Sequence, residues 1–383
     1  MIPPTRVTPD WEEEGLLEGL DDEDARRGRI ELLAELHASG VAVEELRQAS
    51  AEKRLALLPL EGALMGEGER LTLREAAAAA GVDPEVVERF RQAFGLPLPA
   101  ADERLLTEGD IAGIATTKVF SAAGVDFEQQ LDLARVIGRN LAQIAEAMRG
   151  VMGRQLSSPE DTERDAGLRF AEMARASVPA IGPLLENILL QHLRAQVRSD
   201  VFAFTGAAGA QVTIAFADLV GFTRLGEEVP AEQAGAVGRR LGELAGDVAT
   251  APVRLVKLIG DAAMLACRDP EPVLRATLDL VAAADAEGEA FPQIRAGIAC
   301  GEAVNLGGDW FGRPVNLASR ITDRARPGSV LVSEEVQAAL AEAGFAFSDA
   351  GRKKLKGVRD QPRLFRVRTR ETAGQGDGGR VLS

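Results

Sequence analysis

The spacing of apolar side chains divides the chain into two parts near residue 210. Over residues 30–198 apolar positions recur every three or four residues, which is the pattern of helices that each bury one face. The two-residue alternation of a half-buried strand is almost absent there. We therefore predict an all-α first part, with helices over residues 29–37, 72–80, 84–94, 127–148 and 163–176.

The second part alternates short apolar runs with helical patterns. Gly260 and Asp261 stand between two of these runs, as the turn of a hairpin would. The order of elements predicts an α+β domain with an antiparallel or mixed sheet, near the split βαβ type. The predicted strands cover residues 212–217, 253–258, 262–267, 294–300, 330–332 and 364–367, and the predicted helices cover residues 231–249, 270–284, 314–326 and 334–343.

One helical segment of the first part carries a regular apolar stripe. Its members recur at alternating spacings of four and three residues, which suits packing against another helix. The pattern fits an internal core and the seam of a dimer equally well. The stripe consists of Phe127, Leu131, Ala134, Gly138, Leu141, Ala145 and Met148.

The composition narrows the class of protein. The formal net charge is −15 over 383 residues, which disfavours a general nucleic-acid binder because phosphate backbones are held by basic surfaces. No apolar run approaches the roughly 18 residues of a spanning helix, so no membrane span is predicted. The two cysteines, Cys267 and Cys300, form no disulfide framework and fit a reducing compartment. The start of the chain lacks the basic and apolar stretches of a signal peptide, and we expect a cytoplasmic protein.

Residues 70–90 resemble the helix-turn-helix of small DNA-binding repressors, with Gly81 in the turn. The predicted second helix carries Asp83, Glu85 and Glu88 near its start, where contacts to bases and phosphates need Arg or Lys. We therefore interpret the turn as a packing element. A transcription regulator that uses this segment is the alternative. A shift in the gel mobility of DNA that weakens as salt is added would support it.

Two aspartates stand at the ends of predicted strands. Asp218 follows a buried apolar run, and Asp261 lies at the tip of the hairpin. A turn or a helix cap explains either residue alone. As a pair they suit Mg²⁺, which takes one or two carboxylates together with phosphate oxygens of a nucleotide. The helix that starts after Gly221, with Phe222 and Thr223, is expected to offer backbone N–H groups to those phosphates.

Four segments, in this order, resemble the signatures of class III nucleotide cyclase catalytic domains. The resemblance covers residues 205–370 and implies a ferredoxin-like fold that works as a homodimer. The segments are FADLVGFT (216–223), KLIGDAAM (257–264), GIACG (297–301) and GRPVNLASR (312–320).

The resemblance assigns roles to six residues, position by position. Asp218 and Asp261 match two metal-binding aspartates, which implies two Mg²⁺ or Mn²⁺ ions in each active site. Lys257 and Asp309 match the pair that reads the purine. The ribose-orienting asparagine and the transition-state arginine of the family are matched by Asn316 and Arg320. In the family, the aspartates of one subunit face the other four residues across the dimer.

The chemistry of the purine supports ATP as the substrate. Adenine presents an acceptor at N1 and a donor at N6, which an ammonium and a carboxylate complement, whereas guanine reverses both. Lys257 is one of six lysines among 44 basic residues, and its compact ammonium suits a single ring nitrogen better than a guanidinium fork does. We predict an adenylate cyclase that forms 3′,5′-cyclic AMP and pyrophosphate. A nucleotide-binding regulator without turnover is the main alternative, and the complete set of six residues disfavours it.

The basic run RKKLK (352–356) resembles the segment of the family that lies on the phosphate side. Lys356 is therefore a candidate contact for the β- and γ-phosphates. A solvated basic face is the alternative interpretation.

The helical first part resembles the N-terminal regulatory domain of the pH-sensing, autoinhibited cyclases of mycobacterial type. The resemblance implies inhibition at neutral pH and release in acid. An apolar ligand such as a lipid in the helical core, or enforcement of dimerisation, are the alternatives. We predict an acidic, partly disordered tail (1–28), a helical regulatory domain (29–183), a linker helix (184–204), a cyclase catalytic domain (205–370) and a flexible tail (371–383).

His192, in the predicted linker helix, is the candidate pH switch. Leu185, Ile188, Leu189 and Leu193 share its helical face, so the imidazole is predicted to lie on a buried stripe. Burial disfavours the charged form, and protonation in mild acid would oppose the packing that buries the ring. A neutral interface histidine without a regulatory role is the alternative.

Overall fold

The computed structural model describes residues 9–20, 22–65, 68–156, 161–199, 210–358 and 361–369. The chain divides into two compact units, Met1–Ala195 and Gln196–Ser383. Within the described ranges, no helix is both long and apolar enough to cross a membrane.

The N-terminal unit is helical, as predicted. Over its described residues the extended pairing consists of one isolated bridge, between Leu71 and Leu106. A short 3₁₀ turn, Leu55–Leu57, precedes the third helix. The helices are α1 (Glu23–Ala38), α2 (Val43–Ala51), α3 (Leu58–Met65), α4 (Leu73–Ala80), α5 (Pro84–Ala93), α6 (Glu108–Ala122), α7 (Phe127–Leu156) and α8 (Glu163–Ser199).

The acidic start of the chain is more ordered than its composition indicates. Trp11, Leu16 and Leu17 are buried in one cluster with leucines of α1. Asp22 caps α1 by accepting a hydrogen bond of 2.8 Å from the backbone N–H of Ala25. The expected tail over residues 1–28 is therefore wrong for its described part, because three apolar residues among the acids pack inward. Residues 1–8 lie outside the described ranges.

The predicted linker helix is the second half of a longer helix. We expected separate helices at 163–176 and from 184, since Pro179 and Pro183 lie near the gap. The structure instead has one helix of 37 residues, α8, with both prolines inside it. A proline has no N–H, so it cannot bond the carbonyl group four residues before it in the helix. The two prolines are exposed and lie four residues apart, so the two carbonyl groups affected share one solvent-facing side. Residues 200–204 of the predicted linker, and residues 371–383, lie outside the described ranges.

The apolar stripe of α7 has two different environments. Leu131 and Ala134 are buried against Phe90, and Gly138 lies against the backbone of Phe94. Leu141, farther along the stripe, is exposed. The first half of the stripe therefore belongs to the core of the unit, and the second half is open.

The C-terminal unit has a sheet of eight strands over its described residues. The order is β2-β3-β1-β4-β6-β8-β7, with β5 paired to β4. Neighbouring strands are antiparallel except for β4 and β6, which are parallel. The predicted α+β class with a mixed sheet is confirmed. The strands are β1 (Ala210–Leu219), β2 (Arg254–Ile259), β3 (Ala262–Cys267), β4 (Ile294–Leu306), β5 (Asp309–Gly312), β6 (Val330–Ser333), β7 (Phe345–Arg352) and β8 (Arg363–Thr369), and the helices are α9 (Phe222–Glu228), α10 (Ala231–Val248), α11 (Pro270–Ala286), α12 (Arg313–Thr322) and α13 (Glu334–Ala339).

Helices cover the two faces of this sheet unequally. Ala215, Ala217 and Leu219 of β1 lie in a core cluster with α10 and α11. Ile214 and Phe216 lie in a second cluster on the other face, with α12. Successive residues of a strand point to opposite faces. The residue that follows Ala217 therefore belongs to the face that carries α12, and that residue is Asp218.

Candidate active site

Asp218 and Asp261 are brought together by strand pairing. β1 and β3 are antiparallel neighbours, and Asp218 stands opposite Ala262, the first residue of β3. Asp261 lies in the turn just before it, and its carbonyl accepts a hydrogen bond of 3.0 Å from the backbone N–H of Leu219. Gly260 has φ +61°, a left-handed conformation that glycine adopts without strain and that allows the tight turn.

Arg295 pairs with Asp218 from the neighbouring strand. The two residues are register partners in β1 and β4. The guanidinium donates two hydrogen bonds to Oδ2 of Asp218, from Nε at 2.8 Å and from Nη2 at 2.6 Å. The side chains are 31% and 18% exposed, so this ion pair is largely removed from water. The sequence motifs did not identify Arg295 as a site residue.

The two aspartates line a cleft of about 280 Å³. Its other polar lining groups include Thr223, Arg295 and Asp323. Burial raises the pKa of Asp218, the hydrogen bonds and charge of Arg295 oppose that rise, and the charges of Asp261 and Asp323 add to it. Burial and the neighbouring carboxylates therefore disfavour the charged form of Asp218, and a bound cation would favour it.

Lys257 and Asp309 are in direct contact. The ammonium of Lys257, on β2, forms an ion pair with Oδ2 of Asp309, at the start of β5. The other carboxylate oxygen of Asp309 accepts a hydrogen bond of 2.9 Å from the backbone N–H of Trp310. The side chains of the pair are 37% and 25% exposed, so both remain accessible to a ligand. Neither residue lines the cleft of Asp218.

Helix α12 carries the other two predicted catalytic residues. Asn316 is exposed, and Arg320 is half-buried. One guanidinium nitrogen of Arg320 lies 3.4 Å from Oδ2 of Asp323, just beyond the end of the helix. Asp323 and Ser319 line the cleft, whereas Asn316 and Arg320 do not. One chain therefore brings the two aspartates together and, at a separate place, brings Lys257 and Asp309 together. It does not place all six predicted residues around one cavity.

A glycine allows α12 to lie close to the sheet. A Cβ atom at Gly297, in β4, would lie 2.3 Å from the backbone nitrogen of Thr322 and 2.6 Å from the carbonyl oxygen of Ala318. Real Cβ atoms do not approach so closely. The hydroxyl of Thr322 in turn donates to the carbonyl oxygen of Phe216 at 3.2 Å. This packing fixes the end of α12 beside the cleft.

The remaining predicted contacts lie at the edges of the site. Phe222 and Thr223 begin α9 and line the cleft, and Phe222 also packs against the core. Lys356 is exposed in the connection between β7 and β8. Its neighbour Leu355 is buried in the α12 cluster, which anchors the basic run.

The sequence matches two known domain families. Residues 9–197 match the adenylate cyclase regulatory domain, and residues 207–369 match the adenylate and guanylate cyclase catalytic domain. The chain is 40% identical, over 93% of its own length and 91% of the relative, to a pH-sensitive adenylate cyclase of Mycobacterium tuberculosis. The chain belongs to the adenylate cyclase family.

One further relative of this cyclase and one solved structure are similar over smaller parts of the chain. An adenylate cyclase of Streptomyces coelicolor is 32% identical over 72% of this chain and 73% of the relative. The crystal structure of the adenylyl cyclase CyaB from P. aeruginosa covers 46% of this chain and 98% of its own, with 22% identity and a TM-score of 0.38.

The aspartates of the cyclase fit a divalent metal ion. Over the described residues, no group of three or more His, Cys, Asp or Glu side chains is placed to hold an ion without further ligands. Asp323 lines the same cleft without completing such a group. Two carboxylates beside one cleft suit Mg²⁺ or Mn²⁺ when substrate phosphates supply the remaining oxygens. Asp218 and Asp261 would hold the ions.

The candidate pH switch of the cyclase lies in a different environment from the one predicted. His192 is exposed, as are Leu189 (59%) and Leu193 (47%) on the same helical face. The expectation of a buried imidazole is therefore wrong for the single chain, because the described residues of the N-terminal unit leave this face of α8 open. The other histidine, His37, packs edge-on against Trp11 with ring centroids 5.8 Å apart.

Proposed function

We propose that this cyclase converts ATP to 3′,5′-cyclic AMP and pyrophosphate at two sites that are shared between the subunits of a homodimer. The observation that carries the proposal is the separation of the two residue sets within one chain. Asp218 and Asp261 line one cleft, and the Lys257–Asp309 pair lies outside it. A second copy that supplies the missing set would complete each site.

Lys257 and Asp309 would select adenine. The ammonium donates to ring nitrogen N1 and the carboxylate accepts from the amino group at C6. The backbone N–H of Trp310 holds one oxygen of Asp309, which fixes the plane of the carboxylate. Guanine would place a donor against the ammonium and an acceptor against the carboxylate. Hydrogen-bonding sites reject such mismatches strongly, because buried polar groups are left unpaired.

The reaction exchanges one phosphorus–oxygen bond for another. The 3′-hydroxyl oxygen of the ribose attacks the α-phosphorus, its proton passes to solvent water, and the bond from the α-phosphorus to the pyrophosphate oxygen breaks, which releases pyrophosphate. Divalent ions bound to Asp218 and Asp261 would lower the pKa of the hydroxyl and neutralise the triphosphate. The reaction requires no side-chain nucleophile.

The other residues orient the substrate and stabilise charge. Asn316 would hold the ribose so that the hydroxyl is in line with the leaving group. Arg320, one helical turn farther along α12, would stabilise the charge of the transition state. The backbone N–H groups of Phe222 and Thr223 would contact the phosphates in the cleft of their own subunit. Lys356 would reach the β- and γ-phosphates from the other subunit.

Exposed apolar side chains near the base-reading pair support a homodimer. Leu258 and Ile259 follow Lys257 in β2 and are about half exposed, at 46% and 49%. Leu306 and Phe311 flank Asp309 and are 61% and 52% exposed. Several large apolar side chains exposed beside a polar site are typical of interaction surfaces. A second copy on this surface would cover it and would bring its own aspartates to Lys257 and Asp309.

An assay of the purified chain tests the proposal. Full-length protein with Mn²⁺ or Mg²⁺ is given ATP or GTP at several pH values, and both cyclic nucleotides are measured. We expect cyclic AMP from ATP and much less cyclic GMP from GTP. Binding of ATP without product would identify a nucleotide-binding regulator instead.

We propose that the N-terminal unit regulates turnover and holds an apolar ligand. A cavity of about 400 Å³ lies between α5, α6 and α7. Its lining is mostly apolar and includes Phe90, Phe94, Phe120, Ile114, Leu133 and Ile137. A cavity of this size suits a single acyl chain or a similar small apolar molecule.

A cavity-filling variant tests ligand binding. Gly113 lines the cavity from α6, and a Cβ atom there would meet no atom within 4 Å. Gly113→Leu should therefore fill the space without strain and abolish binding of a fluorescent fatty acid. Gly62→Leu is the matched control, since Gly62 lies in α3 with equally open space and does not line the cavity. Equal binding by wild type and Gly113→Leu would exclude this cavity as the binding site.

A further inference from the structure

An arginine side chain supplies a positive charge inside the cleft. Its charged lining residues are Asp218, Asp261, Asp323 and Arg295. Three carboxylates face one guanidinium, so the cleft is acidic and would repel a triphosphate that arrives without cations. Arg295 nevertheless occupies one oxygen of one carboxylate, because it donates two hydrogen bonds to Oδ2 of Asp218.

The position of Arg295 is fixed by the sheet, whereas its side chain can turn. Asp218 and Arg295 are register partners at the ends of β1 and β4, so their backbones cannot separate without breaking the ladder. The guanidinium stands at the end of a flexible stem and can move to another acceptor. A divalent ion that coordinates Oδ2 of Asp218 must displace a guanidinium held by two charge-assisted hydrogen bonds. An ion at either oxygen of Asp218 is also repelled by the charge of that guanidinium.

A triphosphate removes both obstacles. Its oxygens give the displaced guanidinium a bidentate acceptor, which is the geometry that Arg favours with phosphate. They also supply the ligands that the two aspartates lack for a divalent ion. Metal and nucleotide therefore each improve the site for the other, with Arg295 as the group that changes partners.

We infer that Arg295 makes metal binding conditional on the nucleotide, by pairing with Asp218 until a triphosphate accepts its guanidinium. The inference rests on the proposed function, since it assigns the cleft to metal and triphosphate. Arg295 acts here as a positioning residue for the metal ligand. Coupling between two ligands is reciprocal, so the metal raises the affinity for the nucleotide by the same factor.

Binding of Mn²⁺, measured by the electron paramagnetic resonance signal of the free ion, tests this coupling. Full-length wild type and variants are titrated alone and with α,β-methylene ATP, which cannot cyclise. In Arg295→Met we expect Mn²⁺ to bind about tenfold more tightly or better without nucleotide, and the gain on adding nucleotide to shrink by the same factor, within the usual range of coupling between two sites. Arg295→Lys keeps the charge but loses the fork, and it should lie between wild type and Arg295→Met.

Two controls separate this effect from general charge. Arg363 pairs with Asp349 at 2.6 Å in β8 and β7, and it does not line the cleft. Arg363→Met removes the same charge and should leave the Mn²⁺ affinity without nucleotide unchanged. Asp218→Asn should abolish the tight Mn²⁺ binding that Arg295→Met gains. Circular dichroism melting shows whether each variant is folded. If Arg295→Met is unfolded, the Mn²⁺ affinity of Arg295→Lys tests the inference instead.

The outcomes distinguish the inference from the proposed function. Unchanged Mn²⁺ affinity without nucleotide in the folded Arg295 variants would overturn the inference, while cyclic AMP formation by the same wild-type preparation would leave the proposed function intact. Absence of cyclic AMP from wild type would reject the proposed function whatever the titration shows.

Discussion

At the scale of single residues, the proposed base-reading pair is already ordered in the isolated chain. Lys257 holds one oxygen of Asp309, and the backbone N–H of Trp310 holds the other. Both side chains retain exposed area that a base can contact. Pre-positioned groups lose little conformational freedom when the ligand binds, so more of their interaction energy is available to discriminate between bases.

Exchange of this pair should therefore change base selection. We predict that Lys257→Glu combined with Asp309→Cys, the pattern of guanylyl cyclases, lowers kcat/KM for ATP by at least about tenfold, because each lost buried hydrogen bond costs about 1–3 kcal/mol. Arg254→Glu is the control, since Arg254 is exposed on the same strand and has no proposed role. Unchanged ATP kinetics in the double variant would show that the base is read elsewhere.

Residue-level motifs located most of the candidate site, and tertiary pairing located the rest. Asp218 and Asp261 were predicted from their places at a strand end and a turn. Lys257 and Asp309 were assigned by the resemblance to the cyclase family. Arg295 follows Ile294 at the start of a strand and carries no local sign of its function. Its relation to Asp218 depends on the register of β1 against β4, which joins residues 77 positions apart.

At the scale of elements, the contact of α12 with β4 controls the geometry of the site. α12 carries Asn316 and Arg320, and Ser319 of the same helix lines the cleft. A small shift of this helix would thus disturb both sets of residues. Gly297 is a point of close backbone approach between the helix and the strand, since a Cβ atom there would overlap Thr322.

We predict that Gly297→Ala lowers the free energy of unfolding by about 1–3 kcal/mol, as overpacked cores do, and reduces activity more than stability alone explains. Gly246→Ala is the matched control. Gly246 lies in α10 with no atom within 4 Å of a built Cβ, so alanine there should stabilise the helix slightly. Thermal unfolding and cyclic AMP formation measure the two effects. A Gly297→Ala protein with wild-type Tm and activity would contradict the close packing.

Helices α2, α3 and α6 and strands β5 and β7 were not predicted from the sequence, and the two strands lack a local pattern. β5 covers four residues and follows Gly307 and Gly308, so its strand character comes from pairing with β4. β7 contains polar residues and Gly351, and it pairs with β8 through a register shift. The continuous α8 was missed for the opposite reason, because local rules place breaks at Pro179 and Pro183 that a long helix tolerates.

The exposed face of α8 is where the proposed pH response can be tested. We expect His192→Ala to lose most of the rise in activity between about pH 7.5 and pH 6, since histidine is the usual side-chain pH switch and His192 is the histidine exposed on this face of α8. Gln191→Ala, one position away and also exposed, should keep the wild-type profile. A regulatory role for His192 is excluded if His192→Ala keeps the wild-type pH dependence of cyclic AMP formation while a truncated chain that begins at Val201 loses it.

At the scale of the whole molecule, the distribution of site residues in one chain determines how variants should combine. The cleft residues Asp218 and Asp261 belong to one set, and Asn316 and Arg320 belong to the other. In the proposed homodimer each site takes one set from each subunit. Two inactive variants that damage different sets should therefore complement each other, and two that damage the same set should not.

We predict that Asp218→Ala and Arg320→Ala are each nearly inactive as homodimers, and that their mixture recovers about a quarter of wild-type activity. Random pairing makes half of the dimers mixed, and one of the two sites in each mixed dimer combines an intact Asp218 with an intact Arg320. Asp218→Ala mixed with Asp261→Ala is the control, since both changes damage the same set and every site stays defective. Cyclic AMP formation is measured after subunit exchange, with mixed dimers verified by differently tagged chains. Because the control differs from the test pair only in which set is damaged, recovery in both mixtures, or in neither, would contradict the shared-site arrangement.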